Sequence, residues 1–174
     1  DQAKTWGLEF SSRVQISQQW GMRLGYTWTN SEVIENGVKN GQLANTAKHI
    51  ANAQLDWNPS AQWRFWLRGE YRGKSPRFSG DPAALTGGNL AIYQAVGDLK
   101  AYSMFHLGGS YRVSKALTIS ANLFNLFNKD FRQFKQVDVG GTPTWVSEYF
   151  QGGASVAGTT PLGRTLWISA NVTF

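Results

Sequence analysis

Apolar and polar residues alternate one by one along most of this chain. The segment 62–72 shows the pattern most clearly, because Trp63 and Phe65 fall on one side of it and Arg64 and Arg68 on the other. Successive side chains of a β-strand point to opposite faces, so a period of two residues indicates a strand with two different surroundings. The pattern predicts a strand with one apolar and one polar face.

The same alternation recurs in six further segments, and none of the positions on their apolar faces is charged. The charged residues of these segments collect on the opposite face. Turn residues separate some of the segments, as at Asn58-Pro59-Ser60. The sequence therefore predicts an all-β protein with an antiparallel sheet. The seven predicted strands are residues 4–16, 20–29, 47–57, 62–72, 103–113, 117–127 and 164–174.

The connections between these strands alternate between two lengths. Those after the first, third and fifth strands have about three or four residues, and those after the second, fourth and sixth have about 18, 29 and 35. An antiparallel order puts all short turns at one end and all long loops at the other. This asymmetry is typical of outer-membrane barrels, and strands of about 10 residues match a tilted membrane crossing. The predicted fold class is an antiparallel transmembrane β-barrel.

Aromatic residues of the apolar face collect near its two ends. Membrane barrels carry such residues as two belts at the membrane–water interfaces. A soluble β-rich core with scattered tryptophans is the alternative. The predicted belt at the short-turn end contains Trp20, Trp57, Trp63, Tyr111 and Phe174. The predicted belt at the long-loop end contains Trp6, Tyr26, Trp28 and Tyr71.

Composition narrows the function classes further. Of the 174 residues, 14% are aromatic and 16% are charged, and no apolar run is long enough for a transmembrane helix. The absence of cysteine excludes disulfides, thiolate zinc sites and cysteine nucleophiles. The net charge is +6, but the arginines lie on the face opposite the aromatic residues. A nucleic-acid surface that combines basic and stacking side chains is therefore not expected.

Seven strands do not close a single-chain bacterial barrel, which has an even number of strands, at least about eight. Unpaired strand edges are not tolerated in lipid. Three explanations stay open: the chain is the C-terminal part of a larger barrel, a long connection contains a further strand, or several chains complete one barrel. Leu126 and Phe127 interrupt the alternation, which predicts that the sixth strand ends or bulges there and gives Asn125–Phe127 a structural role.

Several segments towards the C-terminal end carry a recognisable order of motifs. Asn-Leu-Phe-Asn-Leu-Phe-Asn-Lys-Asp-Phe at 122–131 is followed by Pro-Leu-Gly-Arg-Thr-Leu-Trp at 161–167 and by an alternating ending. Together with the segments 48–52 and 102–111, they resemble the C-terminal region of TonB-dependent outer-membrane receptors. The chain departs from that family's pattern at Lys48, where proline is usual, and by one extra residue between Pro161 and Arg164.

The resemblance implies a barrel of about 22 strands, of which residues 1–174 form the last seven, without the N-terminal plug domain. It implies residence in the bacterial outer membrane and TonB-dependent import, most often of a ferric siderophore and here of the catecholate branch. TonB would act through the absent plug region. The other implied partners are the barrel-assembly machinery, outer-membrane lipid and lipopolysaccharide, and no cofactor is implied. The segment that resembles the barrel-assembly signal comprises Leu166, Ile168, Ala170, Val172 and Phe174.

Two groups of residues are candidates for binding. Inner-face residues could bind plug carboxylates or guide an anionic ligand, or they could form a solvated or plug-packed wall. Basic and aromatic loop residues suit an anionic aromatic iron chelate, with loop packing or lipopolysaccharide contact as the alternative. The predicted lumen wall comprises Arg13, Arg23, Arg64, Trp66, Arg68, Glu70, Arg72 and Arg112. The predicted ligand-binding residues are Lys74, Arg77, Phe78, Tyr93, Lys100, Tyr102, Arg132, Lys135, Trp145 and Tyr149.

Two rival functions stay open. A small or oligomeric barrel could act as a porin or adhesin, and an outer-membrane hydrolase would need a nucleophile beside a base. His106 and Ser110 share the inner face but lie roughly 13 Å apart along a strand. His49 and His106 have no carboxylate at ligand spacing. No catalytic or metal-binding residue is therefore assigned.

Overall fold

The computed structural model describes residues 2–151 and 161–173. Almost all of the regular structure is strand, and one helix lies in the connection between the fifth and sixth strands. The strands are β1 (Gln2–Gln15), β2 (Trp20–Glu35), β3 (Val38–Lys39), β4 (His49–Trp57), β5 (Trp63–Arg72), β6 (Tyr102–Arg112), β7 (Leu117–Phe124), β8 (Phe134–Val139), β9 (Thr142–Ser147) and β10 (Thr165–Val172). A short 3₁₀ turn (Pro82–Ala84) precedes the helix α1 (Gly87–Val96).

One antiparallel sheet organises the chain, in the order β1-β2-β4-β5-β6-β7-β10. Each strand pairs with its neighbour in that order, β3 adds a short hairpin to β2, and β8 and β9 form a separate two-stranded sheet. The predicted all-β antiparallel architecture is confirmed. These seven strands form an open sheet with β1 and β10 at its edges, so they do not close a barrel by themselves.

The register confirms the two predicted faces. Trp63 pairs with Tyr111 on the outer face, and Arg68 pairs with His106 on the inner face. Large apolar side chains of the outer face are exposed, including Leu8 at 74% and Ile168 at 69%. In the described residues, the buried apolar side chains lie outside the seven main strands, and they are Ala47, Leu99, Phe131, Val137, Val146 and Tyr149. The sheet is therefore a wall with an apolar surface, and its packed core lies among the long loops.

The belt at the short-turn end is a continuous series of rings. Trp20, Trp57, Phe65, Trp63 and Tyr111 pack in that order, with neighbouring ring centroids 4.4 to 5.5 Å apart. Phe65 joins the four predicted members, and the fifth predicted member, Phe174, lies outside the described residues. Four strands thus contribute to one aromatic band at a single height of the outer face.

The structure departs from the predicted strands mainly at the long-loop end. β2 continues to Glu35 and turns at Asn36 and Gly37, which have φ values of 51° and 78°. Two consecutive positive φ values at Asn-Gly are the geometry of a type I′ hairpin turn. β7, which corresponds to the sixth predicted strand, ends at Phe124. This confirms the prediction that the strand ends near Leu126 and Phe127, where the alternation fails. The helix α1 and the β8–β9 hairpin were not predicted. In the described ranges, no helix has the length and hydropathy needed to cross a membrane.

Candidate functional site: the inner wall and the loop layer

A row of polar side chains crosses the inner face at one height. Arg13 pairs with Arg23, Arg23 with Gln54, Gln54 with Arg68, and Arg68 with His106. Five neighbouring strands therefore bring three arginines to one level of the wall. Arg13 and Arg23 lie directly opposite each other, and because like charges in that position repel, nearby anionic groups would stabilise the row.

Two carboxylates partly neutralise that row. The Arg23 guanidinium donates to both oxygens of Asp56, with N–O distances of 3.3 and 3.2 Å. The Gln54 amide donates to the same carboxylate at 2.7 Å. Arg68 lies 3.0 Å from Glu70, from Nε to Oε1. These pairs fix the direction of two arginines, and the wall keeps an excess of positive charge.

Two polar concavities follow this wall. One, of about 690 Å³, lies towards the short turns and is lined by Arg13 and Arg64 among others. The second, of about 470 Å³, lies towards the long loops and is lined by Arg68 and Arg72 among others. Arg23 and Gln54 line both concavities. The concavities together form a continuous polar track along the height of the inner face.

The other predicted wall residues extend this track. The Trp66 ring covers the backbone of Gly108, where an added Cβ would lie 2.4 Å from the ring. The Arg68 guanidinium lies 5.9 Å from the centre of the same ring, within cation–π range. Arg72 donates to the carbonyl oxygen of Asn45 at 2.7 Å. Arg64 and Arg112 line a small hollow of about 110 Å³ near the short turns.

His106 is buried on the inner wall, in the same row as Arg23 and Arg68. Its Nδ1 accepts the backbone N–H of Asn125 at 3.2 Å, and its Nε2 lies 3.8 Å from Glu70. His49 instead shares a hydrogen bond of 2.7 Å with the Tyr26 hydroxyl. Within residues 2–151 and 161–173, neither histidine is hydrogen-bonded to a serine or threonine hydroxyl. The structure therefore places no such hydroxyl as a nucleophile beside either base in that part of the chain.

Aromatic rings form the centre of the loop layer. Phe131 is 1% exposed and packs edge-on against Tyr102 at 4.9 Å and Tyr149 at 5.4 Å. Phe150 packs against Phe131 at 5.7 Å. The Lys129 ammonium donates to the Tyr149 hydroxyl at 2.8 Å and lies 4.8 Å from that ring's centre. Tyr102 and Tyr149, two predicted ligand residues, therefore belong to a packed cluster.

Three predicted loop cations have partners within the chain. Lys74 pairs with Asp98 at 3.3 Å and Lys100 with Glu148 at 2.7 Å. The hydrogen bond to Glu148 raises the pKa of Lys100. Arg77 is only 2% exposed. Burial lowers the pKa of the Arg77 guanidinium, and Asp98 and Glu148 oppose that shift.

Arg77 is held by the segment before β6. Its Nε donates to the Gly97 carbonyl at 2.7 Å, and its own carbonyl accepts the Gln151 amide.

Arg132 pairs with Asp130 at 3.2 Å, and the Arg132 backbone N–H and guanidinium lower the pKa of Asp130. Lys135 donates to the Ala95 carbonyl at 2.8 Å, which joins β8 to α1.

The remaining predicted ligand residues are more accessible. Trp145 is 48% exposed on β9. Phe78 and Tyr93 are half-buried in the connection between β5 and β6. Ligand contact stays a prediction for all ten residues of that group. The structure brings Tyr102 and Tyr149 together and leaves Trp145 apart from them at the surface.

The side chain of Asn125 joins two segments, a contact that the sequence did not predict. Its Oδ1 accepts the Lys129 N–H at 2.7 Å, and its Nδ2 donates to the Lys129 and Leu162 carbonyls at 2.9 and 3.0 Å. The motif at 122–131 includes Asn125, but only the fold shows that Leu162 is its distant partner. Of the residues that resemble an assembly signal, Leu166, Ile168, Ala170 and Val172 belong to β10, and Phe174 lies outside the described residues.

Comparison with protein families identifies the class. Residues 1–126 match the model described as "TonB dependent receptor-like, beta-barrel". The chain therefore belongs to the TonB-dependent receptor β-barrel family, whose members reside in the bacterial outer membrane. The outer face described above is accordingly the face in contact with lipid.

Curated relatives of this chain are outer-membrane receptors. The chain is 30% identical over 159 residues to the "Ferric enterobactin receptor" of Pseudomonas aeruginosa, covering 86% of this chain and 19% of the relative. It is 27% identical over 130 residues to the "Iron-regulated outer membrane virulence protein" of Vibrio cholerae, covering 75% of this chain and 18% of the relative. The chain thus spans about a fifth of the length of the relatives it matches.

Solved structures share the fold at lower identity. The "Copper transporter OprC" superposes with a TM-score of 0.66 at 19% identity, over 99% of this chain and 24% of that one. The "Ferric-Catecholate import receptor Fiu" of Escherichia coli K12 gives 0.64 at 18% identity, over 99% of this chain and 21% of that one. At these identities the likenesses concern the fold.

Proposed function

We propose that this chain is the C-terminal part of the barrel of a receptor that imports ferric siderophores of the catecholate type. The observation that carries the proposal is the 30% identity to a ferric enterobactin receptor across 86% of the chain. The seven strands would supply part of the barrel wall, and the long connections would supply extracellular loops. A plug domain encoded elsewhere in the parent protein would fill the lumen and contact TonB.

The charge of the inner wall supports an anionic cargo. Arg13, Arg23 and Arg68 stand at one level, and Arg72 stands above them towards the loops. A concave surface of one sign of charge concentrates ligands of the opposite sign. Catecholate chelates of iron are anionic and aromatic, so ion pairs and cation–π contacts would both stabilise them.

The proposal assigns no enzyme activity to the chain. The matched family is one of receptors and transporters. A porin or adhesin would not require the resemblance to receptors that runs along most of the chain. The likeness to a copper transporter concerns the fold, because the two sequences are 19% identical. Barrel-assembly machinery, membrane lipid and lipopolysaccharide are the further proposed partners.

Ligand titration of the purified parent receptor tests this proposal. Tryptophan fluorescence would be followed during addition of a ferric catecholate, a ferric hydroxamate or copper ions. We expect saturable quenching by the catecholate alone. Arg72→Gln should weaken that binding about tenfold, which is typical of the loss of one charged hydrogen bond. Arg112→Gln, at the short-turn end, is the matched control and should leave the affinity unchanged. Equal binding of all three ligands, or of none, would contradict the proposal.

A further inference from the structure

The lipid-facing surface contains an apolar groove of about 390 Å³. Small residues form its floor, namely Ala51 and Ala53 on β4 and Gly69 on β5. Tyr26 and Tyr71 pair with Ala51 from opposite sides, and their rings border the groove. A row of large side chains is thus interrupted by a depression one strand wide.

The walls of this groove are held in place by contacts of their own. The Tyr26 hydroxyl and His49 Nδ1 share a hydrogen bond of 2.7 Å. Phe105 lies across Gly69, where an added Cβ would be 3.0 Å from the ring. The Phe105 ring also packs edge-on against Phe127 at 5.3 Å. The groove is therefore formed before any ligand arrives.

The dimensions favour a thin occupant. Adjacent strands lie about 4.8 Å apart, so roughly 10 Å separate the axes of β2 and β5 on either side of β4. Leu55 pairs with Leu67 just below Ala53, and this pair limits the groove towards the middle of the sheet. An α-helix with its side chains is about 10–12 Å across, which is too wide for a depression walled by rings. A single hydrocarbon chain is narrow enough.

We propose that this groove binds one acyl chain of a lipid in the leaflet that faces the long loops. The groove continues the apolar surface that contacts the membrane, and it opens below the Tyr26–His49 pair, which supplies polar groups at headgroup height. Its floor lies on β4 and β5, and both have neighbours on each side within this chain. Lipid therefore occupies a defined position at this groove.

Photolabelling of the parent receptor tests this site. The receptor would be reconstituted in phosphatidylethanolamine–phosphatidylglycerol vesicles that contain a phosphatidylethanolamine with a photoreactive acyl chain. After illumination, labelled peptides would be located by mass spectrometry. We expect the label to concentrate on peptides from β4 and β5, above the level on other lipid-facing strands.

Ala53→Leu fills the floor of the groove and leaves its surface apolar. We expect it to reduce labelling of β4 and β5 about fourfold. This factor corresponds to the partition free energy of roughly one methylene group of the acyl chain. Ala121→Leu makes the same change on the outer face of β7, outside the groove, and should leave the labelling of β4 and β5 unchanged. Heat-resistant electrophoretic mobility like that of the parent receptor would show that both variants are folded.

Several results would contradict the proposal of a lipid-binding groove. Even labelling of all lipid-facing strands, or equal effects of the two variants, would mean that lipid covers this surface without a preferred position. Disulfide cross-links between two receptor copies that carry Ala51→Cys would assign the groove to a protein contact. Each of these results is independent of whether the receptor binds a siderophore.

Discussion

Asn125 shows how one residue connects distant parts of the chain. It lies at the end of β7 with a φ of 52°, in the left-handed region that asparagine tolerates better than most residues. Its backbone N–H donates to His106 on the inner wall, and its side chain bonds Lys129 and Leu162. The wall, the following turn and the segment that leads to β10 are therefore joined at one buried amide.

Replacing this amide should destabilise the parent receptor. Asn125→Ala removes three side-chain hydrogen bonds at a residue that is 3% exposed, and it places alanine at a positive φ. We expect the free energy of unfolding to fall by about 3 kcal/mol. Urea unfolding in lipid vesicles, followed by tryptophan fluorescence, would measure this change.

Asn36→Ala is the matched control for that experiment. Asn36 has a φ of 51° at the exposed tip of the β2–β3 hairpin, so alanine suffers a similar backbone penalty there. That penalty is about 1 kcal/mol. If the two variants lose equal stability, the cost arises from the backbone alone and the joining role of the Asn125 side chain is wrong.

At the scale of elements, the long connections carry structure of their own. α1 meets the β8–β9 hairpin through the Lys135–Ala95 hydrogen bond, and an isolated bridge joins Ser75 to Leu99. The Lys100 N–H donates to the Glu148 carbonyl at 2.9 Å, beside their ion pair. The two long connections, between β5 and β6 and between β7 and β10, are thereby fastened to one another beside the aromatic cluster of Phe131.

Phe131→Ala should loosen this loop layer. The ring is 1% exposed and touches Tyr102, Tyr149 and Phe150. Its removal should cost about 3–4 kcal/mol of local stability because a cavity replaces the ring. Protease added outside cells that carry the receptor should then cleave within residues 125–150 much faster than in the parent receptor.

Trp145→Ala removes a ring of the same loop layer that is 48% exposed. We expect less than about 1 kcal/mol of lost stability and little change in cleavage. Equal protection of Phe131→Ala and the parent receptor would show that the loop layer does not depend on its aromatic cluster.

Some elements could be predicted from the sequence and others could not. Strands of the wall were predictable because each residue faces either lipid or the lumen, and this contrast repeats every two residues. The Asn36-Gly37 pair was a readable signal for the hairpin that extends β2. The helix α1 carries no strong amphipathic pattern, and none of its residues is buried. Its position depends on tertiary contacts such as Lys135 to Ala95, which a local pattern does not contain.

The sequence predicted which face of the sheet the candidate residues lie on, but not which residues they contact. Alternation assigned Arg23, Arg68 and His106 to one face, but their common height depends on the strand register. The pairing of Lys100 with Glu148 joins residues 48 positions apart, so no spacing rule indicates it. The burial of Arg77 likewise depends on how three loop segments pack.

For the whole molecule, the two faces of the wall should tolerate charge differently. Leu67 lies on the outer face at 42% exposure, near the middle of the apolar band. Leu67→Arg should lower the free energy of unfolding by about 2–4 kcal/mol, because the charge enters lipid. Urea unfolding in vesicles measures this cost directly.

Asn52→Arg places the same charge on the inner face of the adjacent strand, opposite Glu70. We expect a change within about 1 kcal/mol, since this face is polar and a carboxylate is near. A reversed order of the two costs would mean that the assignment of the lipid-facing and lumenal faces is wrong.

Iron uptake by cells shows whether the parent receptor is an importer. Cells that carry the full parent gene would receive radiolabelled iron as a catecholate or a hydroxamate chelate, with and without a functional TonB. We predict rapid uptake of the catecholate chelate that is lost without TonB, and no uptake of the hydroxamate above background. Catecholate uptake that persists without TonB, or the absence of uptake of either chelate, would contradict it.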